Sequence, residues 1–201
     1  MHTRSATVVI IGAGQAGFQA AASLRECGFE GRVVLVGDEA GLPYQRPPLS
    51  KAYLKPDALD SQLHFRPASF FADKRIELRM SERAVAIDRG RRRVEFASSE
   101  GLQYEHLVLA TGSRPRRPNW RGMQLQGVML LRTMGDARQI RGLLQTSMKV
   151  VIVGAGFIGL EVASAASALG RHVTVVEFAE RPLKRAISGE MGTYVQRAHT
   201  S

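Results

Sequence analysis

The chain has 201 residues, a hydrophobic fraction of 44% and a formal net charge of +10. That length allows one or two domains with a buried core, and the composition is ordinary for a soluble globular protein. No apolar run approaches the ~18–20 residues of a membrane-spanning helix, and the single cysteine, Cys27, excludes an internal disulfide or a dithiol relay.

Met1-His2-Thr3-Arg4-Ser5 runs straight into a strand-like stretch with no apolar segment before it, so no secretory signal is expected. Cys27 falls inside a helical pattern and is read as a small buried hydrophobe. Arginines gather at Arg89, Arg91, Arg92 and Arg93 and again at Arg114, Arg116, Arg117 and Arg121. Such a surface attracts nucleic acid or an acidic protein. The bland alternative is a solvated hairpin in a chain missing a more acidic second half. No nucleic-acid motif accompanies the charge, so nucleic-acid binding is not expected.

Residues Ala6 to Ile11 are β-branched and nearly all apolar, the pattern of a buried parallel strand. Gly12-Ala13-Gly14-Gln15-Ala16-Gly17 follows at once. Gly12 permits a tight turn, Gly14 lets backbone approach a pyrophosphate, and Gly17 lets helix and strand pack closely. The helix starting near Ala16 turns free N–H groups and a positive dipole end toward phosphates. It is alanine-rich and ends near Gly28 and Gly31. Arg32 to Val36 is the second strand, and Asp38 stands 21 residues after Gly17, where a carboxylate meets an adenosine ribose. Glu39 is the neighbouring alternative. The ordered series of strand, glycines, helix, strand and acid makes dinucleotide binding the expectation here.

Tyr44 to Lys51 is loop-like, because Pro43, Pro47 and Pro48, three prolines in six residues, forbid a regular helix or inner strand. A stiffened loop holds Arg46 and Lys51 in place at little entropic cost. Arg46 suits phosphates and Lys51 an electron-rich ring; a solvated loop is the alternative. Ser50 is a candidate cap for a short helix from Lys51 to Leu54. A short helix over Pro67 to Lys74, a strand over Arg75 to Arg79 and a hairpin over Ala84–Asp88 and Arg93–Phe96 follow. By itself Val85 reads as strand core. The strand His106 to Ala110 runs into Thr111-Gly112, either an ordinary turn or a close backbone approach to a ligand. Pro115 to about Gly127 reads as a crossing between domains.

Val128-Met129-Leu130 is read as a short strand. Thr133, with Asp136 at the third position after it, caps a helix reaching about Ser147. Lys149 to Val153 repeats the buried strand, and Gly154, Gly156 and Gly159 repeat the glycine turn. A helix from Leu160 to Leu169 ends at Gly170, and His172 to Val176 is the next strand. Glu177 stands 18 residues after Gly159. An acid there favours NADH over NADPH, because it bonds a free ribose hydroxyl and repels a 2′-phosphate. Arg181 and Arg185 nearby soften that preference. Glu161 is placed in the first turn of the helix, where the dipole alone favours a carboxylate. Ser188 to Ser201 reads as a polar helix start. No metal site is read anywhere.

Two dinucleotide turns, with Arg46-Pro47-Pro48-Leu49-Ser50-Lys51 between them, resemble the FAD-dependent ferredoxin reductases of the putidaredoxin and rubredoxin reductase type. Apoptosis-inducing factor is a more distant relative. The resemblance implies an α/β fold of two Rossmann-like dinucleotide-binding units, an FAD domain with an inserted NAD domain, each incomplete, plus a small antiparallel β segment. It assigns residues 1–115 to the N-terminal part of the FAD domain and 116–201 to that of the NAD domain. It places Lys51 beside the flavin ring, Arg46 near the cofactor's phosphates and ribose, Val85 on the adenine through its backbone, and Arg132 on FAD, with an exposed arginine as the alternative. Thr111-Gly112 closes the first FAD segment. Glu161 sits near the nicotinamide and pairs with Lys51, a contact expected across the domains.

The function implied is transfer of electrons from NADH through FAD to an iron–sulfur partner, a ferredoxin or rubredoxin, in the cytoplasm. The family's pattern continues for about as long again, so a truncated reading frame or a fragment is expected. The competing expectation is therefore a non-catalytic FAD-binding fragment. A dehydrogenase with one dinucleotide leaves the second glycine turn unexplained.

Overall fold

The structure is a computed structural model that describes residues 6–200. The expectations for Met1–Ser5 and for Ser201 lie outside the described residues. The chain divides into two compact units. The first runs to Gln45 and resumes over Asp60–Arg114; the second comprises Arg46–Leu59 and the chain from Pro115 onward.

In the first unit, strands β1 (Thr7–Ile11), β2 (Arg32–Val36), β3 (Ile76–Arg79) and β7 (His106–Leu109) form a parallel sheet in the order β3-β2-β1-β7. Val9 and Val34 face each other in register, as do Ile11 and Val36. Alternation along β1 and β2 splits their side chains between two buried faces. Val8, Ile10, Val33 and Leu35 pack with Phe18, Ala21 and Ala22 of α1 (Gln15–Glu26) and with Phe71 of α2 (Ala68–Asp73). Val9, Ile11, Val34 and Val36 pack with Val94, Phe96 and Leu102. Those three come from an antiparallel sheet of β4 (Ala84–Asp88), β5 (Arg93–Phe96) and β6 (Leu102–Gln103). Burial of each large aliphatic side chain contributes about 1.5–3 kcal/mol. Both faces being covered is why β1 and β2 are apolar throughout rather than alternating.

In the second unit, β8 (Lys149–Val153) and β9 (His172–Val176) form a parallel pair backed by α4 (Phe157–Ala168). Val150 and Val173 pack with Val162, Ala165 and Leu169. The opposite face leaves Val151 and Val153 at 66% and 63% exposure. Helices α3 (Met134–Thr146) and α5 (Gly189–Thr200) complete the unit. Thr133 caps α3 as expected: its hydroxyl accepts from the Asp136 N–H, and the Asp136 carboxylate accepts from the Thr133 N–H. Among the described residues no helix is long and apolar enough to cross a membrane.

Three expectations are corrected. Cys27 is exposed, because it occupies the C-cap of α1 where the chain turns outward. Val128–Leu130 is not a strand; no ladder forms there, and the Val128 N–H turns back to the Leu125 carbonyl. Val85 is 59% exposed rather than core, because a register shift between Ala84 and Ala86 makes a bulge at that point.

Candidate dinucleotide and redox site

The first glycine turn joins β1 to α1. Gly12 has φ of +113°, a conformation that side chains strain to adopt, and its N–H donates to the Val36 carbonyl at 2.8 Å. A Cβ on Gly17 would lie 1.8 Å from the Gly12 carbonyl oxygen, so helix and turn touch backbone to backbone. A Cβ on Gly14 would meet nothing within 4 Å. That opening lies at the N-cap of α1, whose leading N–H groups have no partner within the helix. It suits the close approach of a pyrophosphate, and exposed Ala16 lies in the same first turn.

Gly12 also packs against the end of β7: its Cβ would lie 2.1 Å from the Ala110 carbonyl and 3.0 Å from the Thr111 nitrogen. Thr111 and Gly112 are therefore brought beside the turn, both exposed, with Gly112 at φ +67°. Asp38 is exposed just past β2. Glu39, its alternative, accepts a 2.6 Å hydrogen bond from the Tyr44 hydroxyl. The two neighbouring acids thus differ in engagement: Glu39 is held by Tyr44, and Asp38 is exposed.

The second turn, between β8 and α4, repeats the first. Gly154 has φ of +107°, a Cβ on Gly159 would lie 2.0 Å from the Gly154 carbonyl, and a Cβ on Gly156 would meet nothing within 4 Å. Glu177, past β9, accepts the Ala179 N–H at 2.8 Å and the Ala155 N–H at 2.7 Å. These backbone donors, first Ala179 and then Ala155, hold its carboxyl below the ordinary range. Glu177 thus braces the glycine turn itself. Arg181 donates to the Lys184 and Ile187 carbonyls of its own loop, while Arg185 acts on Glu177 through its charge.

The proline-stiffened segment is not a solvated loop. It forms two short 3-10 turns, Pro47–Ser50 and Ala52–Leu54, and buries Leu49, Ser50, Tyr53 and Leu54. Leu54 is wholly buried with Leu144 of α3 and Ala166 of α4. Arg141 of α3 lies over the Tyr53 ring at 4.7 Å and donates to the Ala58 carbonyl. Arg46 donates to the Arg132 carbonyl at 2.7 Å, and the Arg132 N–H donates to the cap carboxylate of Asp136 at 3.0 Å.

The same packing brings Lys51 to Glu161. Lys51 Nζ lies 3.0 Å from Glu161 Oε1, the pairing expected, and both residues belong to the second compact unit. Glu161 sits in the second turn of α4, because the helix starts at Phe157, earlier than read from sequence. Its partners are side chains rather than the helix end. Ser50 does not cap its own turn; it donates its hydroxyl to Glu161 Oε2 at 2.5 Å. Burial pushes the Glu161 carboxyl up, but the Ser50 and Lys51 hydrogen bonds and the Lys51 charge outweigh it, so the group sits below the ordinary carboxylate range. A cleft of about 780 Å³ opens beside the pair, floored by Leu54, Leu160 and Val195.

Comparison with known proteins follows the same lines. The family model described as pyridine nucleotide-disulphide oxidoreductase matches residues 6–201. Rhodocoxin reductase of Rhodococcus erythropolis is 51% identical over 96% of this chain and 45% of its own length. Rubredoxin-NAD(+) reductase of Pseudomonas putida is 45% identical over 90% of this chain and 47% of its own. The solved ferredoxin reductase for the CYP199A2 system from Rhodopseudomonas palustris is 47% identical, with a TM-score of 0.93 over 96% of this chain and 48% of that one. The chain spans about half the length of the curated relatives it matches. With its paired strand–glycine turn–helix units and a match across its length, the chain belongs to the pyridine nucleotide-disulphide oxidoreductase family.

Proposed function

We infer that the chain is the nucleotide-binding part of an FAD-dependent NADH oxidoreductase that passes electrons to an iron–sulfur protein of the ferredoxin or rubredoxin type. The observation that carries this reading is the repeated glycine turn, one in each unit, each open at its middle glycine. In the first unit, Gly12, Gly14, Ala16, Gly17, Asp38, Thr111 and Gly112 are the FAD candidates, and exposed Val85 offers its backbone to an adenine. In the second unit, Gly154, Gly156, Gly159 and Glu177 are the NADH candidates. A carboxylate at Glu177 disfavours the 2′-phosphate of NADPH.

Arg46 and Arg132 offer cations to a cofactor's phosphates and ribose. Lys51 and Glu161 are the pair assigned to the redox step: Glu161, ionised, holds the Lys51 ammonium in one place. The chemistry supplied by a bound flavin is acceptance of a hydride followed by release of single electrons. The protein's share is positioning and fixed charge, which needs no side-chain nucleophile. With one cysteine the sequence has no pair for an internal dithiol–disulfide relay of the glutathione-reductase kind. The iron–sulfur acceptor is supported by relatives named as rubredoxin and ferredoxin reductases. The compartment proposed is the cytoplasm.

The test is NADH-driven reduction by the FAD-loaded chain, first of ferricyanide and then of a ferredoxin and a rubredoxin. Reduction of either iron–sulfur protein supports the reading. Ferricyanide reduction with neither iron–sulfur protein reduced overturns the acceptor assignment, and no reduction at all favours the FAD-binding fragment.

A further inference from the structure

Among the described residues Ser50 stands out as a polar side chain in the buried core, at 5% exposure. A buried hydroxyl is costly unless hydrogen-bonded, and neither short 3-10 turn around it makes a side-chain cap. Its hydroxyl instead reaches 111 residues along the chain to Glu161 Oε2, at 2.5 Å. The carboxylate is thereby divided: Oε2 belongs to Ser50 and Oε1 to Lys51 Nζ at 3.0 Å. Lys51 is half exposed and has a competing acceptor, the Pro47 carbonyl at 3.2 Å. A glutamate free to change rotamer would not hold such a lysine in one place. The other charged or titratable groups facing the same cleft are Lys55 and Asp57, from the segment after Lys51, and His199 of α5.

We propose that Ser50 is a positioning residue: its buried hydroxyl fixes the Glu161 carboxylate so that the second oxygen stays on Lys51. The functional weight of this role rests on the assignment of the Lys51–Glu161 pair to the redox step. The geometry itself does not, because every atom involved belongs to the second unit.

The experiment is a carboxyl-carbon NMR titration of the flavin-free chain labelled at glutamate, with the Glu161 signal identified by its loss in Glu161→Gln. In Ser50→Ala the Glu161 midpoint moves up toward the ordinary carboxylate range, a weakening of the acid by about tenfold for loss of one hydrogen bond to a charged group. Ser50→Thr, which keeps the hydroxyl, restores the low midpoint. Glu77 is the internal control: burial pushes it up, but Arg32 and Arg79 hold it below the ordinary range, and it must not move. An unmoved Glu161 midpoint in Ser50→Ala overturns the proposal.

Should Ser50→Ala fail to fold, Ser50→Cys decides: it keeps a side chain of similar shape but replaces the hydroxyl with a weak S–H donor, so the Glu161 midpoint must again move up, and an unmoved midpoint overturns the proposal. A shifted midpoint in a chain that never retains flavin supports the positioning role while removing its redox meaning. NADH-bleached flavin with an unmoved midpoint overturns the positioning alone.

Discussion

On the proposed reading, the glycines at positions 14 and 17 divide ligand binding from folding within one turn. A methyl on Gly17 would lie 1.8 Å from the Gly12 carbonyl and 3.3 Å from the Leu35 side chain, so backbone must move. Overpacking of this kind costs about 1–3 kcal/mol and more where backbone is the obstacle. For a chain of this size each kcal/mol lowers Tm by roughly 2–4 °C. Gly14→Ala meets nothing within 4 Å, and Gly14 already has ordinary extended dihedrals of −81° and −167°. Its stability effect is therefore small: the lost unfolded-state freedom, about 0.4–1 kcal/mol, offsets the poorer N-cap. The added methyl instead fills the space a pyrophosphate would take. We expect FAD affinity to fall by about tenfold or more, since one misplaced methyl costs on the order of 1–3 kcal/mol. Urea unfolding followed by circular dichroism, paired with titration of FAD fluorescence quenching, reads both quantities. Gly14→Ala with stability and FAD affinity both unchanged would refute the argument, as would Gly17→Ala with full stability.

Three further outcomes follow from the packing. Leu54→Ala removes a wholly buried side chain between α3 and α4 and should cost about 2–5 kcal/mol in urea unfolding; a cost below the scatter of surface mutants would contradict the docking of this segment. Thr133→Ala breaks the reciprocal cap of α3 and should cost about 0.5–2 kcal/mol by the same assay. Glu161 has a folded pKa below its unfolded value, so its ionised form stabilises the fold above the unfolded pKa of about 4.3, and that contribution disappears as pH falls through the folded pKa. The stability difference between wild type and Glu161→Gln should hold steady near neutrality and shrink only below about pH 4.3; a difference that grows on acidification reverses the sign.

Both glycine turns were legible in the sequence because their constraints are local. A positive φ at Gly12 and Gly154 and a backbone contact at Gly17 and Gly159 admit almost no other residue. The Thr133–Asp136 cap was legible for the same reason, since both partners lie within one turn. Ser50 was not. Read locally, a serine before a short helix is a cap, and nothing nearby signals a partner 111 residues away. Cys27 misled through an average: cysteines are usually buried, but a C-cap position faces outward. Val85 was read as strand core because its strand is apolar, but it falls at a register shift on a strand with no buried residue. The prolines were read as forbidding a regular helix, yet Pro47 and Pro48 stand in the first turn of a 3-10 helix, where a missing N–H costs nothing, and composition could not show that Tyr53 and Leu54, just beyond, pack against α3 and α4.

The central claim is that this chain holds two dinucleotides. Its most direct test is the visible absorption spectrum of the purified chain after incubation with excess FAD and desalting. The predicted result is a retained flavin band that bleaches when NADH is added. NADH binding by a chain that retains no flavin would contradict it and leave one dinucleotide site rather than two.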